Sequence, residues 1–124
     1  MDDLVREALE RPQVIDITTT GRRTGLARRI ELVDHVIDGR IYISGRPSPR
    51  KRGWIANLEA DPRLTLHLKR GVAADLPARG RVITDEAERR AILRHVAEAW
   101  RADLETMVRD SPLIEVTIED ALAA

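Results

Sequence analysis

The chain has 124 residues, no cysteine, and 21 basic against 21 acidic side chains, so its formal net charge is zero. This length predicts one domain over residues 1–124, and the missing cysteines exclude disulfides, thiolate nucleophiles and cysteine metal sites. The charges balance, and the sequence has neither an apolar run long enough for a bilayer nor a signal-peptide core. We therefore expect a cytoplasmic protein with no membrane span and no nucleic-acid partner.

The first part of the chain predicts one helix and three strands. Apolar residues at helical spacing indicate a short amphipathic helix over 2–10, which Pro12 ends. Segments rich in apolar and β-branched residues predict strands, separated by tight turns, at 13–19, 28–36 and 40–44. We expect these three strands to pair in sequence as an antiparallel meander.

The second part predicts two helices and three more strands. A short helix spans 54–60 and ends before Pro62. One long helix begins at an N-cap on Thr84 or Asp85 and continues to Met107, because its apolar residues recur every three or four positions. The predicted strands, with a loose connection over 71–77 before the second of them, are 64–69, 78–84 and 113–118.

Six strands that mostly follow one another by short turns, with one long helix inserted late, indicate an α+β fold. We expect the strands to form a closed or nearly closed antiparallel barrel, with short helices at the N-terminus and between strands. Phenylalanine is absent and the aromatic residues are Tyr42, Trp54 and Trp100, so the core is predicted to be aliphatic.

Positive charge is concentrated in one third of this neutral chain. Between residues 18 and 52, nine lysines and arginines stand against three acids. Many of the nine lie in two loops that contain glycine or proline, at 21–25 and 45–53, rather than along a helix. Surface loops held by a rigid sheet often carry binding groups, which favours an anion site over the simpler alternative of a solvated basic face.

The loop at 21–25 lies at the tip of the first predicted hairpin. Gly21 and Gly25 bracket a tight cationic turn, where glycine permits positive φ and leaves backbone N–H groups uncovered. The Thr24 hydroxyl and the loop amides add donors to charge-assisted hydrogen bonds, so the tip is predicted to hold a phosphate or carboxylate through Arg22, Arg23 and Arg28. The alternative is a tip whose charges only keep a sheet edge soluble.

Other chemistries find little support in the sequence. His35, His67 and His95 lack metal-ligand spacing, so no metal site is predicted. No Gly-x-Ser-x-Gly elbow is present to supply a serine nucleophile. No catalytic residue is nominated: the phenol of Tyr42 can donate a proton, but its place in a predicted strand favours a core role.

Three blocks of the sequence, in order, resemble the deazaflavin-dependent nitroreductase family of split-barrel flavin and deazaflavin oxidoreductases. The blocks are the hairpin run 17–25 followed by Arg28, the segment 39–45, and the segment 54–66. The resemblance covers residues 10–118 and implies a six-stranded split β-barrel of the FMN-binding type. It also implies that the first hairpin and the loop after the third strand grip the cofactor.

The resemblance further implies a cofactor and the residues that bind it. The expected cofactor is coenzyme F420, a deazaflavin, with FMN as the alternative. The hairpin residues named above would hold its phosphate, with Gly25 letting the backbone pass close to it. Further contacts are implied along the loop and the small helix, at Ser44, Gly45, Arg46, Pro47, Ser48, Trp54 and Asn57. Two of these have structural alternatives, since Trp54 suits a core anchor and Asn57 suits a helix cap.

By resemblance, the protein is expected to pass a hydride from the reduced cofactor to a small hydrophobic acceptor, a quinone or a nitroaromatic. Two departures from the family pattern bear on the acceptor side: Ile55 follows Trp54, and Ile30-Glu31 replace a proline. Two other functions stay open, a flavin or deazaflavin carrier without turnover and a small basic nucleic-acid-binding barrel. A homodimer is expected by analogy with split barrels of this size.

Overall fold

A computed structural model describes residues 1–119, which form four helices and six strands. The helices are α1 (Asp3–Leu9), α2 (Gly53–Ala60), α3 (Glu86–Trp100) and α4 (Leu104–Asp110). The strands are β1 (Val14–Thr20), β2 (Ala27–Ile37), β3 (Arg40–Ser44), β4 (Arg63–Leu68), β5 (Ala74–Val82) and β6 (Leu113–Ile118). None of the helices within this range is long and apolar enough to cross a membrane.

The six strands close into an antiparallel barrel in the order β1, β2, β3, β6, β5, β4, with β4 returning to β1. The first three strands pair in sequence, as the predicted meander requires, and β6 inserts between β3 and β5. Closure gives each strand a partner on both sides. With helices packed around this sheet, the predicted α+β antiparallel barrel is confirmed.

Alternation along β1 explains how the barrel core forms. Ile15, Ile17 and Thr19 are buried, whereas Asp16 and Thr18 between them are only partly covered. The two isoleucines join leucines of β4 and isoleucines of β3 and β6 in one aliphatic cluster. Full burial of each such side chain stabilises the fold by about 1.5–3 kcal/mol, so this cluster supplies much of the barrel's stability.

Helix α2 packs directly on the barrel because β5 has a glycine where the two elements meet. A Cβ on Gly80 would lie 2.9 Å from Leu64 Cδ2 and 3.2 Å from Leu58 Cδ1, so a side chain there would displace both leucines. Trp54, Ile55 and Leu58 of α2 are buried in the same core cluster. This packing places α2 against β1 and β5, beside the first hairpin.

The predicted single long helix is wrong, because the chain forms two helices there. Helix α3 ends at Trp100, and Arg101 adopts the left-handed conformation with φ 53° and ψ 45°. A second helix then begins after Asp103, whose carboxylate caps it by accepting a hydrogen bond from Thr106 N at 2.9 Å. Met107 still packs on the same core cluster as α3, so the apolar spacing continues across the break and conceals it.

Strand β5 begins at Ala74, so the predicted loose connection over 71–77 is wrong in its second half. Pro77 lies inside the strand, opposite Thr65 of β4, while the pairing of β5 with β6 begins only at Ala78. Proline cannot donate to a ladder and is tolerated where one side of the strand is unpaired. The position of Pro77, just before the second ladder starts, satisfies that condition.

Candidate functional site

The turn between β1 and β2 is closed by two backbone hydrogen bonds that need glycine. Gly21 N donates to Leu26 O and Gly25 N donates to Gly21 O, both at 2.8 Å. Gly25 has φ +72°, and a Cβ on Gly21 would lie only 2.9 Å from Thr24 Oγ1. The sequence therefore folds here into a tight tip, with Arg22 and the residues after it exposed.

Asn57 of α2 holds this tip in place. Its Oδ1 accepts hydrogen bonds from Arg22 N at 3.1 Å and from Arg22 Nη1 at 3.3 Å. Its Nδ2 donates to Thr19 Oγ1 at 3.2 Å, so both ends of the amide are used. The side chain of Asn57 thus joins the helix to the hairpin. It does not cap its own helix, so the structural alternative given for Asn57 from the sequence is wrong.

A pocket of about 440 Å³ opens between the hairpin tip and the first turn of α2, and we call it the hairpin pocket. Ten residues line it: Thr19, Gly21, Arg22, Arg23, Thr24, Arg28, Ile30, Gly53, Trp54 and Asn57. Six of the predicted cofactor residues are among them, namely Arg22, Arg23, Thr24, Arg28, Trp54 and Asn57. The structure therefore brings together two sequence segments that are about thirty residues apart.

The positive charge of the hairpin pocket comes from three arginines in its lining. Within residues 1–119, Arg22, Arg23 and Arg28 form no ion pair with a carboxylate. Arg29, one residue further along β2, donates instead to Asp16 Oδ2 at 2.9 Å on the outer face. Three positive charges around one pocket, with no acid beside them, create a potential that attracts an anion.

The N-terminus of α2 faces the same pocket without a side-chain cap. Arg52 occupies the N-cap position and makes no capping hydrogen bond, and the next residue, Gly53, lines the pocket. A Cβ on Gly53 would meet no atom within 4 Å, so the first turn is open. Backbone N–H groups and the positive end of the helix dipole add to the attraction for an anion.

Trp54 lies where the core meets the hairpin pocket. It is 9% exposed and belongs to the buried core cluster, which agrees with a role as a core anchor. It is also among the residues that line the hairpin pocket, and its contact with the cofactor stays a prediction.

The loop from β3 to α2 is held by the connection between α4 and β6 rather than by the hairpin. Ser44 Oγ donates to Pro112 O at 2.7 Å, and Ser48 N donates to Asp110 O at 3.0 Å. A Cβ on Gly45 would lie 3.0 Å from Pro112 Cγ, so glycine is required for this close approach. The loop therefore has a fixed course, set by the segment that precedes β6.

Four of the loop residues with predicted cofactor contacts, and Gly25 of the hairpin, do not line the hairpin pocket. They are Ser44, Gly45, Arg46 and Pro47, while Ser48 lines a second pocket described below. Arg46 O accepts a hydrogen bond from Arg52 Nη2 at 2.6 Å, which braces the loop from within. Contact of these residues with the cofactor stays a prediction.

Sequence reasoning missed four residues that line the hairpin pocket: Thr19, Gly21, Ile30 and Gly53. Two of them had a signal in the sequence. Thr19 shares a face of β1 with Ile15 and Ile17, and Gly53 immediately precedes the predicted small helix. For Gly21 the sequence indicates only a role in the turn, and for Ile30 it shows only a departure from the family pattern.

The histidines lie outside the hairpin pocket. His67 is buried on β4, where Nε2 is 2.7 Å from Thr18 Oγ1 and Nδ1 is 2.6 Å from Asp75 Oδ1. His35 instead packs against Trp100, with ring centroids 5.2 Å apart. In residues 1–119, no three metal-ligating side chains gather into a cluster.

Tyr42 is buried in the second core cluster beside α3, which agrees with the core role favoured for it. Its hydroxyl donates to Glu115 Oε2 at 3.3 Å. Burial, reinforced by the nearby Glu115 carboxylate, raises the pKa of the phenol above its ordinary value of 10.0. Tyr42 is not among the residues that line the hairpin pocket.

Several solved structures share this fold. A Listeria innocua protein described as a pyridoxamine 5′-phosphate oxidase superposes with a TM-score of 0.68 at 14% identity, over 94% of this chain and 92% of that one. An F420H2-dependent reductase, FDR-A, superposes with a TM-score of 0.62 at 21% identity, over 84% and 93%. A domain-swapped dimer gives a TM-score of 0.60 at 21% identity, over 93% and 95%. These similarities confirm the split-barrel fold.

Sequence comparison identifies the family directly. No curated protein matches the chain significantly. A family model, described as F420H2-dependent quinone reductase, matches residues 3–120, which is nearly the whole chain. The family consists of oxidoreductases that use the deazaflavin coenzyme F420, as the resemblance of the three sequence blocks implied. This protein therefore belongs to the F420H2-dependent quinone reductase family.

Proposed function

We propose that this protein reduces a quinone with F420H2 and that the hairpin pocket binds the phosphate-bearing part of the cofactor. The observation that carries the proposal is the group of three unpaired arginines around a pocket of about 440 Å³. Membership of the family indicates which cofactor the protein uses, and the hairpin pocket has side chains that suit an anionic group. The assignment of individual residues rests on that chemistry.

The donors in the hairpin pocket fit a phosphate well. Arg22, Arg23 and Arg28 can each donate charge-assisted hydrogen bonds, which are about twice as strong as neutral ones. The open first turn of α2 adds backbone N–H groups beside Gly53. Asn57 fixes the tip through Arg22 N, so part of the entropic cost of ordering the loop is already met before the ligand binds.

The protein's part in the reaction is to bind and orient. When bound, reduced deazaflavin supplies a hydride and a proton, which together convert a quinone to a hydroquinone. Trp54 and Ile30 offer an apolar wall next to the arginines, which can exclude water from the part of the cofactor that is bound there. Ser44, Gly45, Arg46, Pro47 and Ser48 are proposed to lie further along the cofactor, as the family resemblance implies.

Three further elements of the prediction belong to the same proposal. A nitroaromatic is the alternative acceptor, and FMN is the alternative cofactor. Pairing of two copies as a homodimer agrees with the split-barrel architecture, for which one similar structure is a domain-swapped dimer. Activity in the cytoplasm agrees with the use of F420H2 and with a chain that has no cysteine.

The test is a cofactor titration followed by turnover. F420 and FMN are each titrated into the purified protein, and reduced F420 is then mixed with menadione and with a nitroaromatic while the deazaflavin absorbance is followed. We expect tighter binding of F420 than of FMN and oxidation of F420H2 that depends on menadione. Tight F420 binding without turnover of either acceptor would indicate a carrier rather than an enzyme. Binding of DNA that weakens steeply with added salt would instead indicate a nucleic-acid-binding protein.

A further inference from the structure

A second pocket, of about 330 Å³, lies beside α2 and is not used by the proposed phosphate site. Its walls are the loop before α2, the ends of β5 and α4, and the connection between α4 and β6. Ile55 and Glu59 of α2 line it, whereas Trp54 and Asn57 line the hairpin pocket, so the helix separates the two. We call it the Arg89 pocket, after the side chain on which its walls converge.

Arg89 is bound entirely by carbonyl oxygens. Its guanidinium donates to Ile83 O at 2.9 Å, Val108 O at 2.9 Å, Met107 O at 3.3 Å and Ser111 O at 2.6 Å. A guanidinium has five N–H donors, so one N–H of Nη1 has no acceptor within residues 1–119. Burial lowers the pKa of Arg89, and no ion pair to its guanidinium is found among residues 1–119.

Ser111 contributes an unsatisfied polar atom to the same pocket. The residue is 4% exposed, and its Oγ is buried without a hydrogen-bond partner among the described residues. Its backbone is fully engaged, because Ser111 N donates to Met107 O at 2.9 Å and Ser111 O accepts from Arg89. A buried hydroxyl without a partner costs about 1–3 kcal/mol, so a ligand group that reached this Oγ and bonded to it would recover that cost.

The rim of the Arg89 pocket is positive. Five cations line it, namely Arg50, Lys51, Arg52, Arg89 and Arg109, against two carboxylates, Glu59 and Asp110. Lys51 pairs with Glu59 at 2.7 Å and Arg109 pairs with Asp110 at 3.0 Å, so the two charges within each pair cancel. The remaining excess of positive charge comes from Arg50, Arg52 and Arg89.

Apolar side chains form the rest of the lining. They come from α2, from the end of β5 with the residue after it, and from the start of β6 with the residue before it: Ile55, Val82, Ile83, Pro112 and Leu113. Inorganic phosphate would leave these surfaces in contact with water, whereas a ligand with an apolar body and one acidic group would use both kinds of wall.

We propose that the Arg89 pocket binds an organic anion with a ring-shaped apolar body, and that this anion is the electron acceptor. The acceptor would then be a quinone that carries a carboxylate or sulfonate, which narrows the small hydrophobic acceptor that the family resemblance implied. This proposal rests on the proposed function for its redox step: the quinone gains a hydride and a proton, becomes a hydroquinone, and F420H2 is oxidised to F420. Arg52 and Gly53 are consecutive, so the two pockets flank the same turn of α2.

The binding test uses a matched pair of probes and no cofactor. Anthraquinone-2-sulfonate and its neutral analogue 2-(hydroxymethyl)anthraquinone are titrated calorimetrically into the full chain. We expect the sulfonate to bind at least about tenfold more tightly, since hydrogen bonds to a charged group contribute about 1.5–3 kcal/mol. Equal affinity for the two probes would overturn the anion site.

Variants locate the binding. Arg50→Gln and Ser111→Ala should each weaken binding of the sulfonate by about tenfold and leave the affinity for the neutral probe unchanged. Arg94→Gln is the matched control, because Arg94 is exposed on α3 and lines neither pocket, and it should bind both probes like the parent protein. Loss of sulfonate affinity in Arg94→Gln equal to that in Arg50→Gln would overturn the assignment to this pocket.

Turnover separates this proposal from the proposed function. With F420H2, we expect a higher kcat/KM for the acidic quinone than for the neutral one, and Arg50→Gln should raise the KM of the acidic quinone alone. Reduction of both at equal kcat/KM would overturn the acceptor assignment while the quinone reductase function stands. Binding of the sulfonate without any F420H2 oxidation would leave an anion site but overturn both the acceptor assignment and the reductase function.

Discussion

Arg28 and Arg29 are neighbours on β2, yet they occupy two different electrostatic environments. Arg28 lies opposite Thr19 and lines the hairpin pocket, with no ion-pair partner in residues 1–119. Arg29 donates to Asp16 on the outer face, where Lys69 also binds Asp16, at 2.7 Å. The two-residue period of a strand, rather than the number of arginines, therefore decides which charge is available to a ligand.

The largest expected effect is loss of F420 binding in the Arg22→Ala/Arg28→Ala double variant. Each lost hydrogen bond to a charged group costs about 1.5–3 kcal/mol, so the two changes together should weaken binding by at least about a hundredfold. The measurement is a titration that follows F420 fluorescence. Arg29→Ala is the matched control, since it truncates the adjacent arginine that is already paired, and its affinity should stay within about threefold of the parent. Equal losses in the two proteins would contradict the division of β2 into two faces.

Asn57→Ala should have the next largest effect, because the pocket face of the hairpin depends on α2. The change removes the acceptor of Arg22 N and the donor to Thr19 Oγ1. We expect an unfolding free energy lower by about 1–3 kcal/mol in urea and F420 binding weaker by about tenfold. Glu59→Gln, on the same helix but outside the hairpin pocket, is the control for F420 binding. Unchanged F420 affinity in Asn57→Ala would show that the tip holds its shape alone.

The third prediction concerns Asp34, which lies on the same face of β2 as Arg28, near the other end of the strand. It tests how ionisation of this buried carboxyl affects stability. It is fully buried, its Oδ1 accepts from Gln13 N at 2.7 Å, and burial raises its pKa to about 6. The folded protein therefore binds a proton more tightly than the unfolded chain, so stability falls as the pH rises from about 4 to about 6 and stays lower above that. Asp34→Asn should remove this slope and raise the unfolding free energy at pH 7 by about 1–2 kcal/mol. A pH profile as steep as that of the parent would contradict the assignment to Asp34.

Asp16→Asn should have the smallest effect, because it alters only the exposed outer face. The pKa of Asp16 is lowered below its ordinary value of 3.8 by hydrogen bonds from Lys69 and Arg29. Its contribution to stability is thus present above about pH 4 and is lost as the pH falls through the lowered pKa. We expect a small loss of stability at pH 7 that disappears at high salt, with F420 affinity unchanged. A marked loss of F420 binding would show that the two faces of β2 are coupled.

Much of the fold could be predicted from local patterns. Alternation in β1 and β4, the glycines that bracket the first turn, and the capping of α3 by Asp85 all act over a few residues. The break at Arg101 could not be predicted from apolar spacing, since α3 and α4 pack on one cluster and keep a continuous apolar pattern. The local signal for α4 is Asp103, since aspartate is a preferred N-cap residue and its carboxylate accepts from Thr106 N.

The candidate site divides in the same way. The arginines of the hairpin tip could be predicted because glycine, threonine and arginine stand together within eight residues. Arg89 could not, since a single arginine on a charged helix carries no sign that four carbonyl oxygens, from α4 and from the segments after β5 and α4, will surround it. Ser111 could not be predicted either, because its hydroxyl lacks a partner among the described residues only as a result of where the fold buries it.

The sequence by itself determined the local chemistry: a cationic hairpin tip, alternating strands, and the motifs that identify the family. The tertiary structure alone decided which charges are neutralised and which remain free. The physical reason is that Coulomb and hydrogen-bond energies depend on distances across the barrel, and those distances are set when β1 pairs with both β2 and β4. Strand register and the packing of α2 therefore place unpaired positive charges of a neutral chain around two separate pockets within residues 1–119.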